Sequence, residues 1–405
     1  MDTFTSKFSF VEIFLFLRGK EEKMIAFTKW VLLVLVGVQM SLGQDLTDYD
    51  LGFDNPLFNI WNGNRNTIVP DTRRPCTVTG ASAGNRDGTC LNPAACRFQR
   101  GRAEGRGTCS IWNTCCVFEK AANQTTDARV TYFVSTPGSR DLPQAQKMYV
   151  RLANRNVCQM RVDIISMNLA LPDLDAAGTA QTCTKDYLRV DPNPVSNPIP
   201  LICGLNANTH FYVHLDRTHI SNNGIILSVN LNTEETTEPS WNIKVTQLEC
   251  PGTKNLLQHH KDNRNQAVSD FSLLAPARCL QYFTEPSGRF FNFGYTADTT
   301  TTMTTNQNYA VCFKAIDGSC GVSLTPSFLN LRPTTDATCI AEAIIIPEGT
   351  AKARICGTVD AGTTFISKHP GPLYVHVYSE SVVAAITATT PYGFNIEYSN
   401  SVACP

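Results

Sequence analysis

From about residue 130 onward, apolar side chains recur at every second position in short runs. In the run from Phe211 to Asp216, Phe211, Val213 and Leu215 share one face while Tyr212, His214 and Asp216 share the other. Between Trp241 and Gln247, Ile243 and Val245 alternate with Asn242, Lys244 and Thr246. A period of two, rich in β-branched and aromatic residues, predicts half-buried antiparallel strands. Turn signals separate the runs: Asp191-Pro-Asn-Pro194, Ser221-Asn-Asn-Gly224 and Thr390-Pro-Tyr-Gly393. Many short strands with turns between them predict an all-β chain built of two-sheet sandwiches.

The strand-like region repeats. "YFVSTPGSR" from Tyr132 aligns with "YFTEPSGRF" from Tyr282, and "CTKDYLRV" from Cys183 with "CIAEAIII" from Cys339. Next come "ICG" at 202–204 against 355–357, "FYVHL" at 211 against "LYVHV" at 373, and "WNIKVTQLEC" at 241 against "FNIEYSNSVAC" at 394. Five landmarks in one order predict two copies of a single domain, at 130–250 and 278–405. The polar, aperiodic stretch 251–277 between them reads as a linker, with Lys254, Lys261 and Arg264 as the expected protease-sensitive points.

At the N-terminus an apolar run from Trp30 to Met40 follows Lys29 and precedes small residues at Ser41 and Gly43. That is the layout of a signal peptide over 1–43, with Met24 as the better start and cleavage before Gln44. The run falls short of the roughly 20 residues that span a bilayer, so the mature chain is expected to be secreted, with no membrane span. Residues 44–75 read as a flexible lead-in. An extracellular destination gives the sixteen cysteines a meaning: an even count in an oxidising compartment implies disulfides. Six of them lie in the small module 76–118, whose apolar content is too low to fold unaided; three disulfides at roughly 2–4 kcal/mol each would compensate. Adjacent Cys115 and Cys116 cannot easily pair with each other, so each is expected to clamp a different segment. The array lacks the close C-x2-C pairs of zinc sites and the C-x-x-C of redox enzymes. A net charge of −1 argues against nucleic acid as a partner, and no catalytic motif of the hydrolase, metalloprotease or nucleotide-binding kinds occurs. The chain is therefore expected not to be an enzyme.

At its landmarks the repeat resembles the CUB domain, an extracellular β-sandwich. The likeness rests on the opening aromatic segment, a first cysteine (Cys158; Cys312), the C-x-x-D run from Cys183 to Val190, the Cys203-Gly204 and Cys356-Gly357 steps, and the closing "GFNIEY" at 393. The array C-x13-C-x5-C-x12-C-x5-CC is similar to the clip module of arthropod proteases, and the whole chain resembles secreted arthropod CUB proteins. The fold class expected is thus two jelly-roll-like CUB sandwiches plus a disulfide-rich module. The clip resemblance implies the pairs Cys76–Cys115, Cys90–Cys109 and Cys96–Cys116. The CUB resemblance implies Cys158–Cys183 and Cys312–Cys339, which leaves Cys203–Cys250, Cys356–Cys404 and Cys279–Cys320.

The same resemblance implies a calcium site in the first copy, with Asp186 at the C-x-x-D position and Asp216 as the second acid. Where the family's Glu is expected stands Ala170, with Asp173 or Asp175 as substitutes; in the second copy Glu342 and Glu380 are the nearest acids. His210, His214 and His219 lack partner ligands and are expected to be exposed strand histidines, as is His376. His259 and His260 are expected to face solvent in the linker. Arg97, Arg100, Arg102 and Arg106 make the cysteine module basic, suited to an acidic protein or a sulfated glycan. Asn123-Gln-Thr125 is an N-glycosylation sequon. Two function classes follow. One is a non-catalytic recognition protein that binds extracellular proteins, as a cofactor or decoy in a protease cascade; the other is a matrix or cuticle component that binds protein and glycan.

Overall fold

The computed structural model describes residues 75–403 apart from 82–83, 142–144, 155, 216–223, 251–269, 298–301, 333–338, 349–350, 369–372, 384–390 and 401. The expected signal peptide, the lead-in, Asp216, His219, Cys404, and the linker residues Lys254, His259, His260, Lys261 and Arg264 lie outside the described residues.

The first strands form the cysteine module: β1 (Pro75–Ala81), β2 (Gly84–Leu91), β3 (Arg102–Ala103) and β4 (Thr114–Val117), in the sheet order β1-β2-β4-β3. Helix α1 (Pro93–Phe98) follows β2; the Asn92 side chain accepts from the Ala94 N–H at 2.9 Å, and proline occupies the first turn, where its missing N–H costs nothing. Successive strand residues point to opposite faces, and β4 uses this to split its cysteine pair. Cys115 bonds Cys76, and Cys116 bonds Cys96 beneath the helix. Cys90–Cys109 completes the module. These are the pairs the clip resemblance implies. The Sγ atoms of Cys76, Cys109 and Cys115 lie within 4.8 Å of one another, which here means two disulfides lying against each other rather than a metal cluster.

The first sandwich comprises β5 (Glu119–Lys120), β6 (Gln124–Thr126), β7 (Val130–Val134), β8 (Ala145–Val150), β9 (Val157–Asn168), β10 (Asp173–Leu174), β11 (Gln181–Thr182), β12 (Tyr187–Asp191), β13 (Leu205–His214), β14 (Ile225–Asn230) and β15 (Ser240–Glu249). One sheet runs β13-β9-β15-β7-β5 and the other β12-β14-β8-β6, with β10 and β11 pairing apart. Phe133, Met160, Val162, Phe211 and Ile243 from the first sheet and Met148, Leu188 and Leu227 from the second belong to one buried cluster.

The second sandwich comprises β16 (Cys279–Phe283), β17 (Ser287–Phe291), β18 (Asn308–Phe313), β19 (Val322–Leu331), β20 (Glu342–Glu348), β21 (Ala351–Ile355), β22 (Gly357–Thr358), β23 (Phe365–Ser367), β24 (Leu373–Ser379) and β25 (Gly393–Ser399). The order β20-β24-β18-β16 repeats β12-β14-β8-β6, down to the parallel pairing of the last two strands in each. Likewise β19-β25-β17 repeats β9-β15-β7. The repeat is real, but two landmarks are displaced by one strand. Tyr132 lies on β7, whose counterpart β17 carries Phe290 and Phe291, whereas Tyr282 lies on β16. The Phe211 run is β13, whereas the Leu373 run is β24, the counterpart of β14. Neighbouring strands share the same period, so pattern alone slides from one to the next.

The disulfides of the sandwiches correct the implied pairing. Cys158 opens β9 and Cys250 follows the adjacent antiparallel β15, where Glu249 opposes Val157, so these two bond across a separation of 92 residues. Cys183 bonds Cys203, just before and just after the pair Leu188 and Ile202, which bridge to each other. Cys339–Cys356 is the same short bridge in the second copy. Cys279 and Cys312 join the parallel strands β16 and β18. Cys312 is therefore no counterpart of Cys158. Cys320, just ahead of β19, holds that position and is itself disulfide-bonded; its bond cannot be to Cys279. Among the described residues no cysteine is free, and no helix is long and apolar enough to cross a membrane.

Candidate interaction surfaces

The outer face of the sheet β13-β9-β15 was expected to meet water; the structure covers it. Register places His210 opposite Asp163 and Asp163 opposite Lys244, so three titratable side chains form a row across three strands. At one end the cysteine module docks. Lys244 Nζ lies 3.0 Å from Asp87 and 3.4 Å from Asp163. The Asp87 N–H donates to the Tyr132 hydroxyl at 2.8 Å, and the Arg86 guanidinium stacks 4.4 Å over the Tyr132 ring while pairing with Glu119 at 3.2 Å. Burial opposes the charge on Lys244, yet Asp163 and Asp87 hold its pKa above the ordinary lysine value. Burial likewise works against the Asp163 carboxylate, but Arg161 and Lys244 keep its pKa below the usual range.

At the other end sits the second sandwich. His210 is 6% exposed, and its Nε2 lies 3.0 Å from the Tyr282 carbonyl and 3.2 Å from the Tyr282 nitrogen. Half-buried His214 reaches the Cys279 carbonyl at 2.9 Å. Gln159 exchanges two hydrogen bonds with Ala275, and the Tyr212 hydroxyl donates to the Leu273 carbonyl at 3.0 Å. Arg129 pairs with Asp270. Residues 270–277, the end of the expected linker, thus lie against the first sandwich. The expectation of exposed histidines fails for His210 and His214, because alternation assigns a side chain to a face without telling what covers that face. Burial, with Arg161 adding to it, pushes the His210 pKa down to about 3, and burial lowers that of His214. His376, on the outward-alternating positions of β24, is half-buried rather than exposed and meets Asn308 Oδ1 at 2.6 Å.

The loop edge of the first sandwich holds Asp186, which is fully buried. Its Oδ1 accepts from Arg140 Nη1 (3.2 Å) and the Asn232 N–H (2.8 Å); its Oδ2 accepts from Arg140 Nη2 (2.7 Å) and the Ala170 N–H (3.3 Å). Arg140 also donates to the Asn232 and Thr237 carbonyls. Asp186 as arranged does not fit a calcium ion, since both its oxygens, with the Asn232 and Thr237 carbonyls, already face a guanidinium; the second expected ligand, Asp216, lies outside the described residues. Asp173 pairs with Lys185 at 3.2 Å, and Asp175 accepts from the Thr179 and Ala180 amides. In the second copy Glu342, also buried, accepts from the Arg332 N–H at 2.8 Å and the Ser379 hydroxyl at 3.0 Å, with Arg332 Nε at 3.7 Å. Glu380 engages through its backbone, its carbonyl accepting from the Asn306 N–H at 2.8 Å. Sequence reasoning found the two acids and missed both arginines. The available signal for Arg140 was a cation in a turn directly after a buried strand.

Beside the Arg140–Asp186 pair opens a recess of about 440 Å³, lined by Leu169, Leu171, Pro172, Leu205, Lys185 and Glu235 among others. Lys185 bridges Asp173 and Glu235 across its rim. On the cysteine module Arg97 and Arg100 are exposed, whereas Arg102 pairs with Glu104 and Arg106 Nε donates to the Cys109 carbonyl at 3.1 Å. Two of the four expected binding arginines therefore have structural partners. Phe98 and Trp112 of the same module are 89% and 78% exposed. Asn123 is exposed in a turn with φ of 62°.

The family model of the animal CUB domain matches residues 276–401, the second sandwich. No curated protein matches the chain. Among solved structures, the CUB1-EGF-CUB2 domains of rat MASP-1 are similar at 11% identity and a TM-score of 0.23, covering 68% of this chain and 100% of that one. The CUB1-EGF-CUB2 domain of human MASP-1/3 gives the same figures. Residues 276–401 thus carry the signature of the animal CUB domain, on a chain whose preceding sandwich repeats the same strand order.

Proposed function

We propose that the chain is a secreted, non-catalytic recognition protein that binds other extracellular proteins through its CUB-type sandwiches and cysteine module. The observation that carries this is the match of the second sandwich to the animal CUB domain, an extracellular protein-interaction module, together with a first sandwich of matching strand order. The chemistry of the buried groups supports it. His210, His214, Asp163 and Lys244, the clustered titratable side chains, are engaged between modules, which is a structural use, and at the recess Lys185 is held between Asp173 and Glu235. Clip and CUB modules resemble parts of protease cascades, so the partner class proposed is a protease or its zymogen, with this chain as cofactor or decoy.

The test is a pull-down from extracellular fluid with the purified mature protein, read by mass spectrometry. Saturable recovery of protease zymogens supports the cofactor role. Recovery of matrix or glycan-bearing proteins alone, with self-association and resistance to extraction, refutes it in favour of a structural component.

A further inference from the structure

We infer that Arg140 is a built-in cation that assembles the loop edge of the first sandwich, occupying with its guanidinium the point where the Asp186 carboxylate and two backbone carbonyls converge, so that this edge and the recess beside it form without a divalent metal.

The argument begins with what the loops need. Three segments meet here: the turn after β7, the residues before β12 and the connection from β14 to β15. No ladder joins them. Two of them bring oxygen toward one point, the residues before β12 both carboxylate oxygens of Asp186 and the β14–β15 connection the Asn232 and Thr237 carbonyls, while the turn after β7 brings Arg140. Converging oxygens around a buried carboxylate repel one another unless a cation sits among them. A hard divalent ion would take these same oxygens as ligands. Arg140 takes them instead, and its stoichiometry is complete. Nε donates to Thr237 O at 2.9 Å, Nη1 to Asp186 and Asn232, and Nη2 to Asp186 and Thr237, which uses all five guanidinium N–H groups. Each Asp186 oxygen accepts twice, from one guanidinium nitrogen and one backbone N–H. The geometry is bidentate, the strongest arrangement for this pair.

The second sandwich supplies an independent parallel. Glu342, at the equivalent place just after the first cysteine of the short bridge, is buried against Arg332, itself 1% exposed. Both copies therefore answer a buried edge acid with an arginine of the chain. An arginine stays charged at any accessible pH and cannot be chelated. The recess shares these loops: Ala170 and Thr237, which bond the Arg140–Asp186 pair, also line its wall. Its shape is thus set by the chain alone.

The test uses the full secreted chain with its disulfides intact, and no partner, so its outcome is separate from that of the pull-down. Thermal unfolding of metal-stripped protein is followed in EDTA and in millimolar calcium, with terbium luminescence as a direct probe of a hard-cation site. The wild type is expected to melt at the same temperature in both and to give no saturable terbium signal. Arg140→Ala, which vacates the oxygens, is expected to melt lower in EDTA and to recover part of the loss in calcium. A wild-type melting temperature that falls in EDTA, returns with calcium and loses this response in Asp186→Asn overturns the inference. A calcium response that Asp186→Asn retains places the ion elsewhere and leaves the assignment standing. Should Arg140→Ala fail to be secreted, the wild-type and Asp186→Asn measurements decide alone.

Discussion

Acidification should separate the second sandwich from the first by way of His210. In the folded chain this ring is buried among Arg161, Asp163, Lys244 and Tyr282 and takes up a proton only near pH 3; an unfolded histidine takes one up near 6.5. Between these values the unfolded chain binds more protons, so stability is full above about pH 7 and is lost as the pH falls toward 3. At about 1.4 kcal/mol per pH unit, the loss is about 2 kcal/mol by pH 5 and about 3 kcal/mol by pH 4. His214, lowered in the same direction by burial, adds to it. Glu342, raised by burial, works oppositely, because its cost is relieved as the pH drops. Subtraction isolates the ring: urea unfolding at pH 7.5 and pH 5, for wild type and His210→Gln, whose amide keeps a hydrogen bond to Tyr282 but does not titrate. The wild type should lose about 2 kcal/mol more than the variant over that range. Equal losses would refute the burial of His210 against Tyr282 and with it this packing of the two sandwiches.

Lys244→Met should cost about 1–2 kcal/mol by removing the cation shared by half-exposed Asp87 and by Asp163, which keeps Arg161; a double variant with Asp87→Ala should cost less than the sum of the singles. Non-reducing peptide mapping should recover Cys183 linked to Cys203 and Cys158 linked to Cys250; a Cys158–Cys183 peptide would contradict the strand pairing that brings β9 beside β15. Gly224→Ala should lower stability by more than about 2 kcal/mol, or abolish secretion, since φ is +71° and a Cβ would lie 1.8 Å from the Val150 carbonyl. Thr125→Ala should remove one N-glycan from the secreted protein with stability unchanged within about 0.5 kcal/mol; an unaltered mass would show Asn123 unmodified.

The alternation in 211–216 and 241–247 marked real strands, and the matched endings at 241 and 394 marked counterpart strands β15 and β25, because a strand's period is a local property of the chain. The pairing within the small module was readable only through its resemblance to the clip module, since the spacing of six cysteines alone leaves fifteen connectivities open. What a strand faces is not local. His210 and His214 lie on the polar face that period two assigns them, yet a second domain from seventy residues downstream closes over it. The same limit explains the cysteine errors: Cys158 and Cys250 are neighbours only because β9 and β15 pair. Asp186 was visible and Arg140 was not, because their contact links positions 46 residues apart in sequence.

The row His210–Asp163–Lys244–Asp87 runs from one neighbouring module to the other, and so fixes the spacing between surfaces that a flexible tether would let wander. A partner that touches two modules meets sites already at their final separation. Its second contact then forms at high effective concentration, with little orientational entropy left to lose. Avidity in this molecule is a property of the middle sheet: loosening Lys244 or His210 should weaken a two-module partner far more than a partner that grips one module alone.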